Sequence, residues 1–166
     1  MAPPISKIAE RANIGVGTIY RYFTNKEDLI NALYIDIKTN SSRVILQNYS
    51  KNIPVSVRFM KQVINNTVRY FIQNPTELSF MEQYENSPLI TASTHDEISR
   101  LMEPLCDLFE SAEKENLLKD LPFEVLISLF SGAVISFAKL YKTGKIKLDE
   151  QVISTGINAI WDMIKR

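Results

Sequence analysis

The side chains best suited to meeting a partner fall between Val16 and Lys26, in the run VGTIYRYFTNK. Val16, Gly17, Thr18, Tyr20, Arg21, Tyr22 and Lys26 bring two phenols, a hydroxyl, a guanidinium and an ammonium together, and Ser6 adds a hydroxyl upstream. These groups suit a nucleic-acid duplex. Tyrosine and threonine hydroxyls and a helix N-terminus can hold phosphates, Val16 can meet a thymine methyl, and Arg21 can meet a guanine edge or a phosphate. A helical hairpin whose aromatics are simply core is the plainer reading. It fits less well, because offsets of two and three spread Tyr20, Tyr22 and Phe23 over much of a helix circumference.

Catalytic chemistry has no comparable set. His95 is the single histidine and sits in a capping motif; Cys106 is the single cysteine and lies in an apolar run. No Glu-x-x-His pattern or nucleophile with an adjacent base occurs, so neither an enzyme, a cofactor nor a metal is expected. A lone cysteine also excludes an internal disulfide, which fits a reducing, cytoplasmic setting.

The elements that must position the first set can be read around it. Ile5, Ile8, Ala9 and Ala12 fall at i, i+3, i+4 and i+7, one stripe of a short helix with Pro4 at its start. Asn13 stands where that helix should stop, and Gly15 and Gly17 offer freedom for a tight turn. A second short helix begins near Gly17, with Ile19 and Phe23 packing back on the first. The layout is a helix-turn-helix with its recognition helix.

The segment AERANIGVGTIYRYFTNKEDLI, residues 9–30, resembles the DNA-binding signature of the TetR/AcrR family of bacterial transcriptional regulators. The resemblance implies phosphate contacts from Thr18, Tyr20, Tyr22 and Lys26, and a base-reading turn at Val16 and Gly17. Gly15 and Val16 depart from the Ser and Lys common in that family, so no base preference carries over. It further implies double-stranded operator DNA as partner, a small-molecule effector, and a homodimer through the last two helices. Family members also place a helix before this motif, packed behind it. Its absence ahead of Ile5 suggests a fragment or a late-assigned start, with Ile5 and Ile8 exposed and operator binding weak. A ligand-binding dimer without effective DNA binding is therefore the alternative to a ligand-released repressor.

At 166 residues and 45% apolar content, the chain can bury a sizeable core. Its longest apolar stretch, Phe123 to Ala138, is interrupted by Glu124, Ser128, Ser131, Gly132 and Ser136 and is expected to fall short of a membrane span; no membrane partner is expected. Net charge is zero but unevenly spread: residues 37–76 carry six bases and no acid, and residues 77–120 carry eleven acids and three bases. These segments should face each other across a bundle; a basic entrance for an acidic ligand is the functional alternative.

After Phe23 helical spacing recurs between short breaks and no strand pattern competes, so the fold class is all-α: a truncated helix-turn-helix followed by a helical ligand-binding and dimerisation bundle. Residues 1–50 should form the DNA-binding region with a long connecting helix, and residues 51–166 the body. Thr24 to Glu27 and Thr94 to Glu97 read as capping boxes. The long helix should run to about Ser50, the next from Val55 to Gln73, then Thr76 to Tyr84. A kink, or a break at Glu103, is expected from Pro104. Phe123–Thr143 and Asp149–Lys165 complete the set, with Gly132 and Gly156 implying close helix contacts. Aromatic and polar side chains between residues 29 and 140 offer pocket candidates: Phe59, Val63, Asn66, Arg69, Tyr70, Phe80, Tyr84, Met102 and Phe137.

Overall fold

The computed structural model describes residues 3–144, 146–147 and 149–166. Among these, eight helices occur in the order α1 (Ile5–Ala12), α2 (Val16–Tyr22), α3 (Lys26–Ile45), α4 (Val57–Gln73), α5 (Pro75–Tyr84), α6 (Ala92–Lys114), α7 (Phe123–Thr143) and α8 (Glu150–Ile164). The only extended pairing among the described residues is a bridge between Leu118 and Lys165, which ties the C-terminus to the α6–α7 connector.

Helix α4 is the centre. Met60, Val63, Ile64, Thr67, Val68, Tyr70 and Phe71 are all buried along it, so apolar side chains leave it in several directions and α3, α5, α7 and α8 all pack on it. The main core joins these to Leu108, Phe109 and Ala112 of α6, Leu126, Phe130, Val134 and Ala138 of α7, and Ile153, Ile157, Ile160, Trp161 and Ile164 of α8. Two smaller clusters stand apart from it. One unites Ile30 and Tyr34 of α3 with Tyr84 and Ile90; the other unites Ile5, Ala9 and Ile19, with Ile8, Phe23 and Leu29 against them. Helix α3 therefore contributes to every core, through Leu29 at its start, Ile30 and Tyr34 next, and Ile45 at its end.

Several boundaries differ from the sequence-based expectation. The left-handed residue that stops α1 is Asn13 (φ 53°), and Gly15 is extended at φ −71°. An asparagine tolerates that conformation, and here the Ile14 N–H donates to Ala9 O at 3.0 Å across it. The cap of α3 is Asn25 and not Thr24: its Oδ1 accepts from the Asp28 N–H at 2.9 Å, while the Thr24 N–H donates to Asp28 Oδ2 at 2.9 Å. Asp28, not Glu27, is the residue that reaches back, and it meets the N–H of the residue ahead of the cap. Likewise α6 is capped by Thr91, three residues before Thr94, with its hydroxyl accepting from the Thr94 N–H at 3.2 Å. Ser56 caps α4, which delays its start past Val55.

Helix α3 ends at Ile45, earlier than Ser50, and Asn48 follows in the left-handed region (φ 69°). Pro104 does not divide α6, which runs unbroken from Ala92 to Lys114. It sits on the exposed side, where the Arg100 carbonyl that loses its partner can face water, while Leu108 and Phe109 hold the other side. The expected exposure of Ile5 and Ile8 is not met either: Ile5 is buried and Ile8 half-buried against α2 and Leu29, although Ala12 is exposed.

Gly156 meets the expectation of a close contact, since a Cβ there would lie 2.3 Å from the Phe137 ring. Gly132 does not within one chain, where nothing lies within 4 Å of such a Cβ. Phe123–Tyr141 is, by length and composition, a helix long and apolar enough to cross a membrane, contrary to the sequence reading, and 22% of its apolar window is buried within the protein. Of the uneven charge, Lys51 pairs across to Asp107 at 2.8 Å, but Arg69 turns instead to Glu150, outside the acidic segment.

Candidate nucleic-acid interface and ligand cavity

Helix α2 has one buried residue, Ile19, which anchors it on α1. At about 100° per residue, the positions two away, Gly17 and Arg21, lie roughly 160° from it and point most directly outward. Thr18 and Tyr20 flank them on either side. Val16 and Tyr22, three away, sit nearer the anchored side yet remain exposed, Tyr22 at 73% and Tyr20 at 53%. Such exposure of two tyrosines needs an explanation, since the described residues leave much of both rings to solvent.

The face thus has a centre and two edges. Arg21 offers a fork of donors at the centre, next to Gly17, where no atom lies within 4 Å of a would-be Cβ and a duplex could approach the backbone. Hydroxyl groups of Thr18 and Tyr20 flank that centre, a spacing suited to backbone contacts on either side of a groove. Ser6 is exposed on α1, and Lys26 is half-buried at the first turn of α3. All eight residues proposed for DNA from the sequence thus lie on α1, α2 or the first turn of α3.

A cavity of about 440 Å³ lies in the body, among α3, α4, α5, α6 and α7. Ser41, Ser42, Ile45 and Leu46 form its α3 side and the residue beyond, Thr67 and Phe71 its α4 side, and Leu78 and Met81 its α5 side. Met102 and Leu105 of α6 and Ile127, Phe130, Val134 and Ile135 of α7 close it. Lys38, Glu82 and Glu85 are the charged groups on its wall.

Of the nine pocket candidates, Met102 lines this cavity and the others lie elsewhere. Val63 is buried in the main core, and Phe59 stacks on Tyr49 with centroids 6.1 Å apart. Asn66 donates to Val44 O and Ile45 O, at 3.2 and 3.3 Å, and so caps the end of α3. Arg69 bridges Asn65 and Glu150. Tyr70 donates its hydroxyl to Glu77 at 2.6 Å; burial first, and then that carboxylate, push its pKa up. Phe80 and Tyr84 pack on each other at 4.5 Å in the second cluster, and Phe137 lies over Gly156.

One junction was not anticipated. Asn31, buried on α3, donates Nδ2 to Leu89 O at 2.8 Å and to Glu27 O at 2.8 Å, and its Oδ1 accepts from the Thr91 N–H at 3.0 Å. It clamps the connector into α6 onto α3. Because Thr91 is the cap of α6, the amide sets where that helix starts. A buried asparagine within an otherwise apolar stripe is the signal for such a clamp.

Two family models match the chain: "Bacterial regulatory proteins, tetR family" over residues 4–33, and "Tetracyclin repressor-like, C-terminal domain" over residues 54–165. The chain is 28% identical over 162 residues to an uncharacterized HTH-type transcriptional regulator of Haemophilus influenzae, covering 96% of this chain and 83% of that protein. A crystal structure of a TetR-family regulator from Haemophilus influenzae superposes with a TM-score of 0.77 at 25% identity, over 99% of this chain and 86% of that one. One from Marinobacter aquaeolei superposes with a TM-score of 0.82 at 18% identity, over 98% and 85%.

Proposed function

The chain belongs to the TetR family of bacterial regulatory proteins, and on that premise we propose that it is a repressor released from its operator by a small molecule bound in the body. It is a DNA-binding transcriptional regulator and not an enzyme. The observation that carries the finer reading is the position of α3. This helix begins at Lys26 beside α2, carries Ile30 and Tyr34 into the second cluster, holds the connector to α6 through Asn31, and ends at the cavity through Ser41, Ser42 and Ile45. A molecule that changes the cavity therefore acts on the helix that sets the pose of α2.

Arg21 and Gly17 are proposed to meet base edges, together with Val16. Ser6, Thr18, Tyr20, Tyr22 and Lys26 are proposed to hold phosphates. Residues 1–50 act as the reading unit with its lever and residues 51–166 as the sensing and dimerising body. Two copies pair through α7 and α8. On α7 the exposed Val125, Leu129, Gly132 and Ser136 follow one another at i, i+4, i+7 and i+11, a stripe that a second copy would cover. That pairing also explains why so apolar a helix is so little buried in one chain. The regulator works in the cytoplasm, where its DNA lies.

The test is a reporter gene placed behind a duplex selected by the purified protein. Expression of the chain should lower the reporter, and Arg21→Ala should restore it. A reporter raised by the wild-type chain would replace repression with activation.

A further inference from the structure

At about 30 Å³ for a water-sized group, the 440 Å³ cavity holds roughly 15 non-hydrogen atoms. Three of the five hydroxyl groups on its wall are already committed, which leaves half-buried Ser42 and exposed Ser128. Ser41, Thr67 and Ser131 give their hydroxyl hydrogens to carbonyls of their own helices, Lys38 O at 3.0 Å, Val63 O at 2.7 Å and Ser128 O at 3.3 Å. Charge is confined to one end, formed by Lys38, Glu82 and Glu85.

These three are not equivalent. Glu82 is already bridged by Lys139, and both carboxylates are exposed, so water serves them. Lys38 is half-buried. Its ammonium lies 5.5 Å from the centroid of the Tyr34 ring, and no ion pair joins it to Glu85. Burial pushes its pKa below the usual lysine value, and the more distant Glu85 only partly opposes this. The one charge held away from water at the cavity is thus positive. A cationic head would have to crowd it and would gain little from solvated carboxylates. An anionic head would supply the partner the ammonium lacks.

We infer that the effector is an amphipathic anion of roughly 15 non-hydrogen atoms in all, with its apolar body in the cavity and a carboxylate-like head on Lys38. The inference rests on the proposal that this cavity is the effector site. It also gives the head group a role in release. Lys38 lies twelve residues beyond Lys26 on the same helix, about 18 Å along a rigid rod, so a pull on its ammonium reaches the DNA-facing end.

The test is calorimetric titration of the full chain with dodecanoate, 1-dodecanol and dodecylammonium, the two ions below their micelle concentrations and the alcohol below its solubility limit. Dodecanoate, with about 14 non-hydrogen atoms, matches the volume. It should bind roughly tenfold or more tighter than the other two. Lys38→Met and Lys38→Gln should each erase that preference, bringing dodecanoate affinity to within about twofold of dodecanol affinity in the same variant, and Met102→Trp, checked for folding by circular dichroism, should weaken all three probes. Equal affinities, a preference for dodecylammonium, or a carboxylate preference that survives both Lys38 variants would overturn the head-group assignment while leaving an apolar effector site in place. No binding by any probe, or binding unaffected by Met102→Trp, would overturn the cavity as the effector site altogether.

Discussion

Removing the Asn31 amide should loosen the joint between α3 and α6 without touching either the residues proposed to meet DNA or the cavity wall. Asn31→Ala deletes the donor to Leu89 O and the acceptor for the Thr91 N–H, leaving two backbone groups without their partner. A buried group left unsatisfied costs about 1–3 kcal/mol. The lower end applies here, because Asn31 and Thr91 border a surface cleft with Thr24, Asn25, Thr94 and Glu97, and water can reach the freed groups. The sum is about 2 kcal/mol, which for a chain of this size corresponds to a fall in Tm of roughly 4–8 °C. Thermal melting by circular dichroism reads the stability. Fluorescence anisotropy with a selected duplex reads function: DNA affinity should change little, while the effector should lose most of its power to release DNA. A Tm within 1 °C of wild type, or an undiminished effector response, would refute the clamp.

Three further outcomes follow from the same geometry. Lys26→Ala should weaken binding to all duplexes alike and lower the log–log salt slope by about 2 per dimer, one phosphate from each copy; an unchanged slope would remove Lys26 from the backbone contacts. Gly132→Glu should fold as stably as wild type, since nothing lies within 4 Å of the position, yet sediment as a monomer; an intact dimer would move the interface elsewhere. Burial, then Glu85, push the Tyr34 hydroxyl up to about 12 from 10.0, so the protonated phenol adds stability that is complete below pH 10 and lost as pH rises toward 12. Alkaline denaturation should therefore steepen over that window, and Tyr34→Phe should flatten part of it; identical profiles for the two proteins would contradict the assignment.

Periodicity made the helices legible because burial imposes it directly: α4 and α8 show their stripes in sequence, and α7 was read to the residue at both ends. Helix starts were less legible. Thr24 and Asn25, or Thr91 and Thr94, are each chemically able to cap, and the choice depends on where the preceding chain arrives. Pro104 does not break α6 because its local cost is outweighed by Leu108 and Phe109 packing on the far side, which sequence spacing alone does not weigh. The exposed face of α2 was legible because Ile19 alone has to point inward. Cavity residues were not, since a cavity is a failure of neighbours to meet, and large aromatics such as Phe80 and Tyr84 fill space with each other. The usable signal was hydroxyl groups on apolar faces: Ser41 and Thr67 are buried, and both border the cavity. Lys38 carries no sequence signal of its place at the cavity, because a lysine on a long helix is usually solvated.

The most direct measurement is selection of duplexes from a random library by the purified chain, run in parallel with Arg21→Ala. The reading of α2 predicts one enriched sequence built from two symmetry-related half-sites, their centres about 34–36 Å or a multiple of that apart, and loss of that enrichment in Arg21→Ala. No enrichment by the wild-type chain, or the same sequence recovered by both proteins, would contradict it.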